Sequence, residues 1–189
     1  GINAYLRDND GLYVNLYTHS RAVWRRHGEP ALTLTQRGGY PLADDVALTV
    51  SAPRPVRMAL RLRIPGWTGP AQIAVNGRPL AVLGTPGTFY TINRVWREGD
   101  RVDLTIGRPM RLVPVDEQHR KRVALMEGPL ALFATGADVP DYTADQLFDA
   151  RRAQGEAYWI VSEGPFSARI FKPWFAIEDE KTRLYQKLV

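Results

Sequence analysis

The strongest constraint on this chain is a two-residue hydrophobic period through its first 110 residues, which commits most of that stretch to half-buried β-strands. In Met58-Ala59-Leu60-Arg61-Leu62-Arg63-Ile64 the residues Met58, Leu60, Leu62 and Ile64 fall on one face, and Arg61 and Arg63 on the other. Leu12-Tyr13-Val14-Asn15-Leu16-Tyr17 alternates in the same way. Such strands bury one side of a sheet and leave the other wet. Leu32–Thr35, Val46–Val50, Gln72–Val75 and Arg101–Ile106 read as further strands. The turns agree. Asn76-Gly77 separates two apolar runs, and Asn-Gly tolerates the positive φ values of a two-residue hairpin. Glu98-Gly99-Asp100 marks another turn, and sixteen glycines with fourteen prolines interrupt any long helix.

After residue 111 the pattern loosens. Val123–Met126 and Leu130–Phe133 read as strands around Gly128-Pro129, and strands resume at Tyr158–Val161 and Ala168–Lys172. Thr143 is placed to cap a short helix over Ala144–Phe148. The expected fold is all-β, an antiparallel β-sandwich of jelly-roll type. It is built as two consecutive sandwiches with little helix, over residues 1–111 and 112–189.

Composition narrows the chemistry. None of the 189 residues is cysteine, so disulfides, thiolate zinc sites and cysteine nucleophiles are absent from this chain. The net charge of +5 is scattered apart from Arg120-Lys121-Arg122, and no groove-reading motif accompanies it, which argues against nucleic acid as a partner. No apolar run is long enough to span a membrane, so a soluble protein is expected. The chain opens at Gly1 rather than Met, which reads as a piece of a longer protein whose signal peptide, if any, lies upstream.

No catalytic centre is legible. His19, His27 and His119 lack metal spacing, and neither a GxSxG elbow nor a phosphate loop occurs. Adjacent side chains on a strand point to opposite faces, which makes Asp44-Asp45 a poor acid/base pair. Glu178-Asp179-Glu180 reads as a solvated run, and Glu127 has no obvious partner. Trp67, Tyr90 and Trp96 fall beside loops of the first unit. They are candidates either for stacking on a sugar or for packing between domains.

The string Asp10-Gly11-Leu12-Tyr13-Val14-Asn15-Leu16-Tyr17 resembles the DGLYVNLY stretch that follows the catalytic barrel in the β-L-arabinofuranosidase family, glycoside hydrolase family 127. Later motifs follow in the family's order. Thr35-Gln36 with Tyr40-Pro41 is similar to TQ…YP, and Leu62-Arg63-Ile64-Pro65-Gly66-Trp67 to LRIPxW. Val75-Asn76-Gly77 is similar to VNG, Ile92 through Asp100 to IxRxWxxGD, and Arg122 through Leu130 to RxALMxGPL. Lys172-Pro173-Trp174-Phe175-Ala176-Ile177 matches more loosely. The resemblance implies a parent of bacterial type with an (α/α)6 barrel carrying a cysteine nucleophile, a cysteine-rich zinc site and a catalytic glutamate, followed by β-sandwiches. None of these groups maps onto this chain. Nucleophile, zinc and turnover therefore belong to the upstream barrel, and this chain carries no cofactor.

The leading expectation is an accessory region that buttresses that barrel and mediates self-association as a homodimer. Its rival is a carbohydrate-binding module using Trp67, Tyr90 and Trp96. A small enzyme with an unrecognised carboxylate pair is a distant third.

Overall fold

The computed structural model describes residues 3–28 and 30–189. It is 50% strand and 4% helix, an all-β fold. Two compact units divide at Gly107/Arg108, a few residues before the position expected from the sequence.

Among its described residues the first unit has ten strands: β1 (Tyr5–Arg7), β2 (Gly11–Val14), β3 (Ser20–Trp24), β4 (Leu32–Arg37), β5 (Asp45–Ser51), β6 (Val56–Arg63), β7 (Gln72–Val75), β8 (Arg78–Pro79), β9 (Phe89–Trp96) and β10 (Arg101–Thr105). They form two sheets, ordered β1-β2-β6-β9 and β3-β4-β5-β10-β7-β8. The inner faces meet in one apolar core that includes Leu12, Val14, Leu34, Leu48, Val102 and Leu104. Met58, Leu60, Leu62 and Ile64 all lie in it, so the register of β6 follows its alternation.

One pair departs from an antiparallel plan. Strand β2 runs parallel to β6, with Gly11 opposite Ala59 and Val14 opposite Leu62. Parallel neighbours need a crossover, and here β3, β4 and β5 of the other sheet supply it. Gly11 is required by the close approach, because a Cβ there would lie 1.8 Å from the carbonyl oxygen of Ala59. The Asn76-Gly77 hairpin forms as its composition dictates, with φ of 52° and 74°.

The second unit contains β11 (Met110–Pro114), β12 (Arg122–Glu127), β13 (Leu130–Thr135), α1 (Ala144–Phe148), β14 (Arg151–Arg152), β15 (Trp159–Gly164), β16 (Ser167–Pro173), β17 (Thr182–Arg183) and β18 (Tyr185–Lys187). All its strands join one hydrogen-bonded network of eight, with the path β11-β12-β13-β16-β15-β14. The β12–β13 hairpin pairs only near its turn, from Leu125 to Leu132. Beyond that the two strands part, and β18 pairs with Arg122–Ala124 while β17 pairs with Ala134 and Thr135. The C-terminal segment thus fills a fork in the sheet. Tyr142, Trp159, Phe171 and Leu132 are buried in this unit. Helix α1 begins where Thr143 caps it, with Gln146 returning a hydrogen bond to the Thr143 N–H. No described helix is long and apolar enough to cross a membrane.

Candidate functional site

The aromatic candidates separate once the strands are placed. Trp96 closes β9 inside the first core at 0% exposure, and its Nε1 donates to the Met58 carbonyl at 2.9 Å. A ring buried on both faces cannot stack on a sugar, which corrects the reading of Trp96 as a loop-side contact residue. Trp67 and Tyr90 are half-buried against the same core. The three rings do not form an exposed platform. The rings that do stand in solvent are elsewhere: Trp174 is 71% exposed beside an edge-on Phe175 at 5.9 Å, and Phe166 occupies the β15–β16 turn.

Motif residues of the first unit hold the fold together. Asp100 accepts from Asn76 Nδ2 at 2.7 Å and the Arg97 N–H at 2.9 Å, and pairs with Arg94 at 3.5 Å. Burial alone raises the Asp100 pKa, but these hydrogen bonds and the charges of Arg94 and Arg97 outweigh it and hold the carboxyl below its ordinary value. Arg94 in turn covers the Trp96 ring at 5.2 Å. The Arg-x-Trp-x-x-Gly-Asp run therefore ties β9 to the Asn-Gly hairpin. Gln36, buried in β4, donates through Nε2 to Tyr5 Oη at 2.7 Å and to the Leu16 carbonyl at 3.2 Å, locking the β2–β3 connection. Tyr17 donates to the Arg63 carbonyl at 2.7 Å, and burial pushes its pKa far up.

The charged candidates are also engaged structurally. Asp45 accepts from the Gly39 N–H at 3.1 Å. Glu127 does have a partner, Arg108 at 3.0 Å, which the sequence reading missed because nineteen residues separate them. Glu180 pairs with Lys172 at 2.6 Å, and that contact with backbone hydrogen bonds takes its pKa down to about 2. His119 contacts Asp116 at 2.8 Å, and His19 the Gly38 carbonyl. In the second unit Glu163 accepts from Tyr142 Oη at 2.6 Å and from Arg169. Among the described residues, no group of three or more His, Asp or Glu is placed to hold a metal ion.

One concavity combines charge with shape. It lies on the outer face of the β1-β2-β6-β9 sheet, has a volume of about 320 Å³, and is lined by Asp10, Arg26, Arg57, Arg61, Thr91 and Asn93 over a floor at Ala59 and Met58. Its form follows from register. Gly11, Ala59 and Asn93 lie in one cross-strand row, so two small residues sit where neighbouring rows carry Tyr13–Arg61–Thr91 and Arg57–Val95. Arg61 is fixed between Asp8 at 3.2 Å and the Tyr13 ring at 4.6 Å. Burial opposes ionisation of Asp8, but N–H groups of Gly11 and Asp10, the Tyr13 hydroxyl and the Arg61 charge hold its pKa below normal. The alternation placed Arg61 outward, but the concavity needs the β6–β9 pairing, which no local signal reveals.

The first unit is a two-sheet β-sandwich, the second unit is also all-β, and the ordered motifs of the first are engaged in packing and hydrogen bonding. The first unit matches the family model described as β-L-arabinofuranosidase, GH127 middle domain, over residues 11–108. The chain belongs to that family. Solved structures carry the same fold. A GH127 β-L-arabinofuranosidase from Geobacillus stearothermophilus T6 matches with a TM-score of 0.76 and 24% identity, over 98% of this chain and 35% of its own. A structure described as a glycoside hydrolase gives 0.73 and 22%, over 98% and 37%. A GH127 β-arabinofuranosidase gives 0.71 and 20%, over 98% and 36%. The chain spans about a third of the length of these structures. No curated protein matches the sequence.

Proposed function

We propose that this chain is the non-catalytic accessory region of a β-L-arabinofuranosidase-like glycoside hydrolase, serving to buttress a catalytic barrel encoded with it. The observation that carries this reading is coverage. Almost the whole chain superposes on about a third of each GH127 structure, and the family model it matches is that of a middle domain. The motif chemistry supports the same conclusion, since Gly11, Gln36, Trp96 and Asp100 are engaged in packing and hydrogen bonding. Zinc and a cysteine nucleophile, where the parent uses them, belong to the barrel. Self-association of the parent through this region is part of the same proposal. The rival reading, sugar stacking on Trp67, Tyr90 and Trp96, is weakened by the burial of Trp96.

The test is hydrolysis of an aryl β-L-arabinofuranoside by the purified chain, with and without added zinc. No release above buffer is expected. Turnover that co-purifies with the chain and disappears on replacement of one of its carboxylates overturns the proposal.

A further inference from the structure

We propose that the concavity on the outer face of the β1-β2-β6-β9 sheet binds a uronate, a sugar bearing a carboxylate. The inference adds a ligand site to the accessory role and takes from the family only the class of ligand, a carbohydrate.

Charge comes first. Three guanidinium groups, of Arg26, Arg57 and Arg61, line a recess of about 320 Å³. Among the described residues, Arg61 alone of the three has a carboxylate partner, Asp8. The side chains of Arg26 and Arg57 make no ion pair or hydrogen bond among the described residues. With three arginines against the single carboxylate of Asp10 in its lining, the recess attracts an anion. The guanidinium fork matches a planar carboxylate with two parallel hydrogen bonds.

The recess is also more than a patch of charge. Its floor is low because Gly11 and Ala59 occupy the row between Arg57 and Arg61, and Gly11 cannot be enlarged without colliding with the Ala59 backbone. Thr91 and Asn93 on the neighbouring strand add neutral donors and acceptors, and Asp10 adds an acceptor for hydroxyl groups. The presence of Asp10 disfavours a compact dianion such as phosphate. A monoanionic polyol satisfies both the arginines and the acceptors. The volume is at the lower end of small-ligand sites, suited to one or two sugar rings. The Tyr13 ring, edge-on to Phe89 at 5.3 Å, borders the same face.

Calorimetric titration of the chain with methyl glucuronide, methyl glucoside and inorganic phosphate tests the assignment, and needs no catalytic turnover. Saturable binding of methyl glucuronide is expected, with none of methyl glucoside. Arg57→Gln should weaken the uronate about tenfold, the loss of one charge-assisted contact. Asn93→Ala should weaken the uronate while leaving phosphate unaffected. Both positions are exposed, and unchanged melting temperatures will show that the variants fold. Absence of uronate binding, undiminished binding by Arg57→Gln, or phosphate binding as tight as the uronate overturns the proposal. Because the titration follows binding to the isolated chain, its failure leaves the accessory role standing.

Discussion

At the scale of single residues, position on β6 decides the outcome. Leu62 is fully buried, and Leu62→Asp places an unpaired carboxylate in the core, a cost of several kcal/mol that should prevent folding. Arg61, two-faced between Asp8 and Tyr13, is not the inert surface residue that alternation alone suggests. Arg61→Asp removes a cation–π contact and an ion pair and sets two carboxylates together, for a loss of about 1–2 kcal/mol. Urea unfolding of both variants checks the pair; equal tolerance contradicts the register. Asp100 gives a prediction with a pH sign. Its folded pKa is depressed, so its stabilisation is complete above the unfolded carboxylate value of about 4 and is lost as pH falls through the lower folded value. Asp100→Asn should cost about 2 kcal/mol at pH 7, and the gap to the parent should narrow below pH 4. A gap that stays constant to pH 2.5 rules out the ionised form as the source.

At the scale of elements, two glycines separate close approach from turn conformation. Gly11→Ala drives a Cβ into the Ala59 carbonyl and should cost about 3 kcal/mol or more, because neither backbone can move without breaking the β2–β6 ladder. Gly77→Ala meets nothing within 4 Å and bears only the strain of φ +74°, about 1 kcal/mol. Thermal melts of the two variants should differ by several degrees. This contrast also marks what the sequence made legible. The hairpin, the inward face of β6 and the Thr143 cap are local patterns, visible in consecutive residues. The parallel β2–β6 pair, the Arg108–Glu127 bridge and the arginine-lined recess join residues far apart in the chain, and no short window carries them. Trp96 was misplaced for a related reason. It stands just before the Glu98-Gly99-Asp100 turn and so reads as loop-side, whereas the strand continues through Trp96 and turns its ring into the core.

At the scale of the whole molecule, the chain is all-β, its first unit matches the GH127 middle-domain model, and it spans about a third of the length of the GH127 structures it resembles. Far-ultraviolet circular dichroism should show a β-dominated spectrum, and a helical one is incompatible with the strands described. Under the proposed role the chain supports a catalytic barrel, and the most direct test is to join it to the barrel of a GH127 enzyme and compare the protein with and without residues 1–189 for melting temperature and hydrolysis of an aryl β-L-arabinofuranoside. The account predicts that deletion lowers the melting temperature by several degrees and reduces hydrolysis, as loss of a supporting interface requires. Equal melting and equal hydrolysis in the two forms would contradict it.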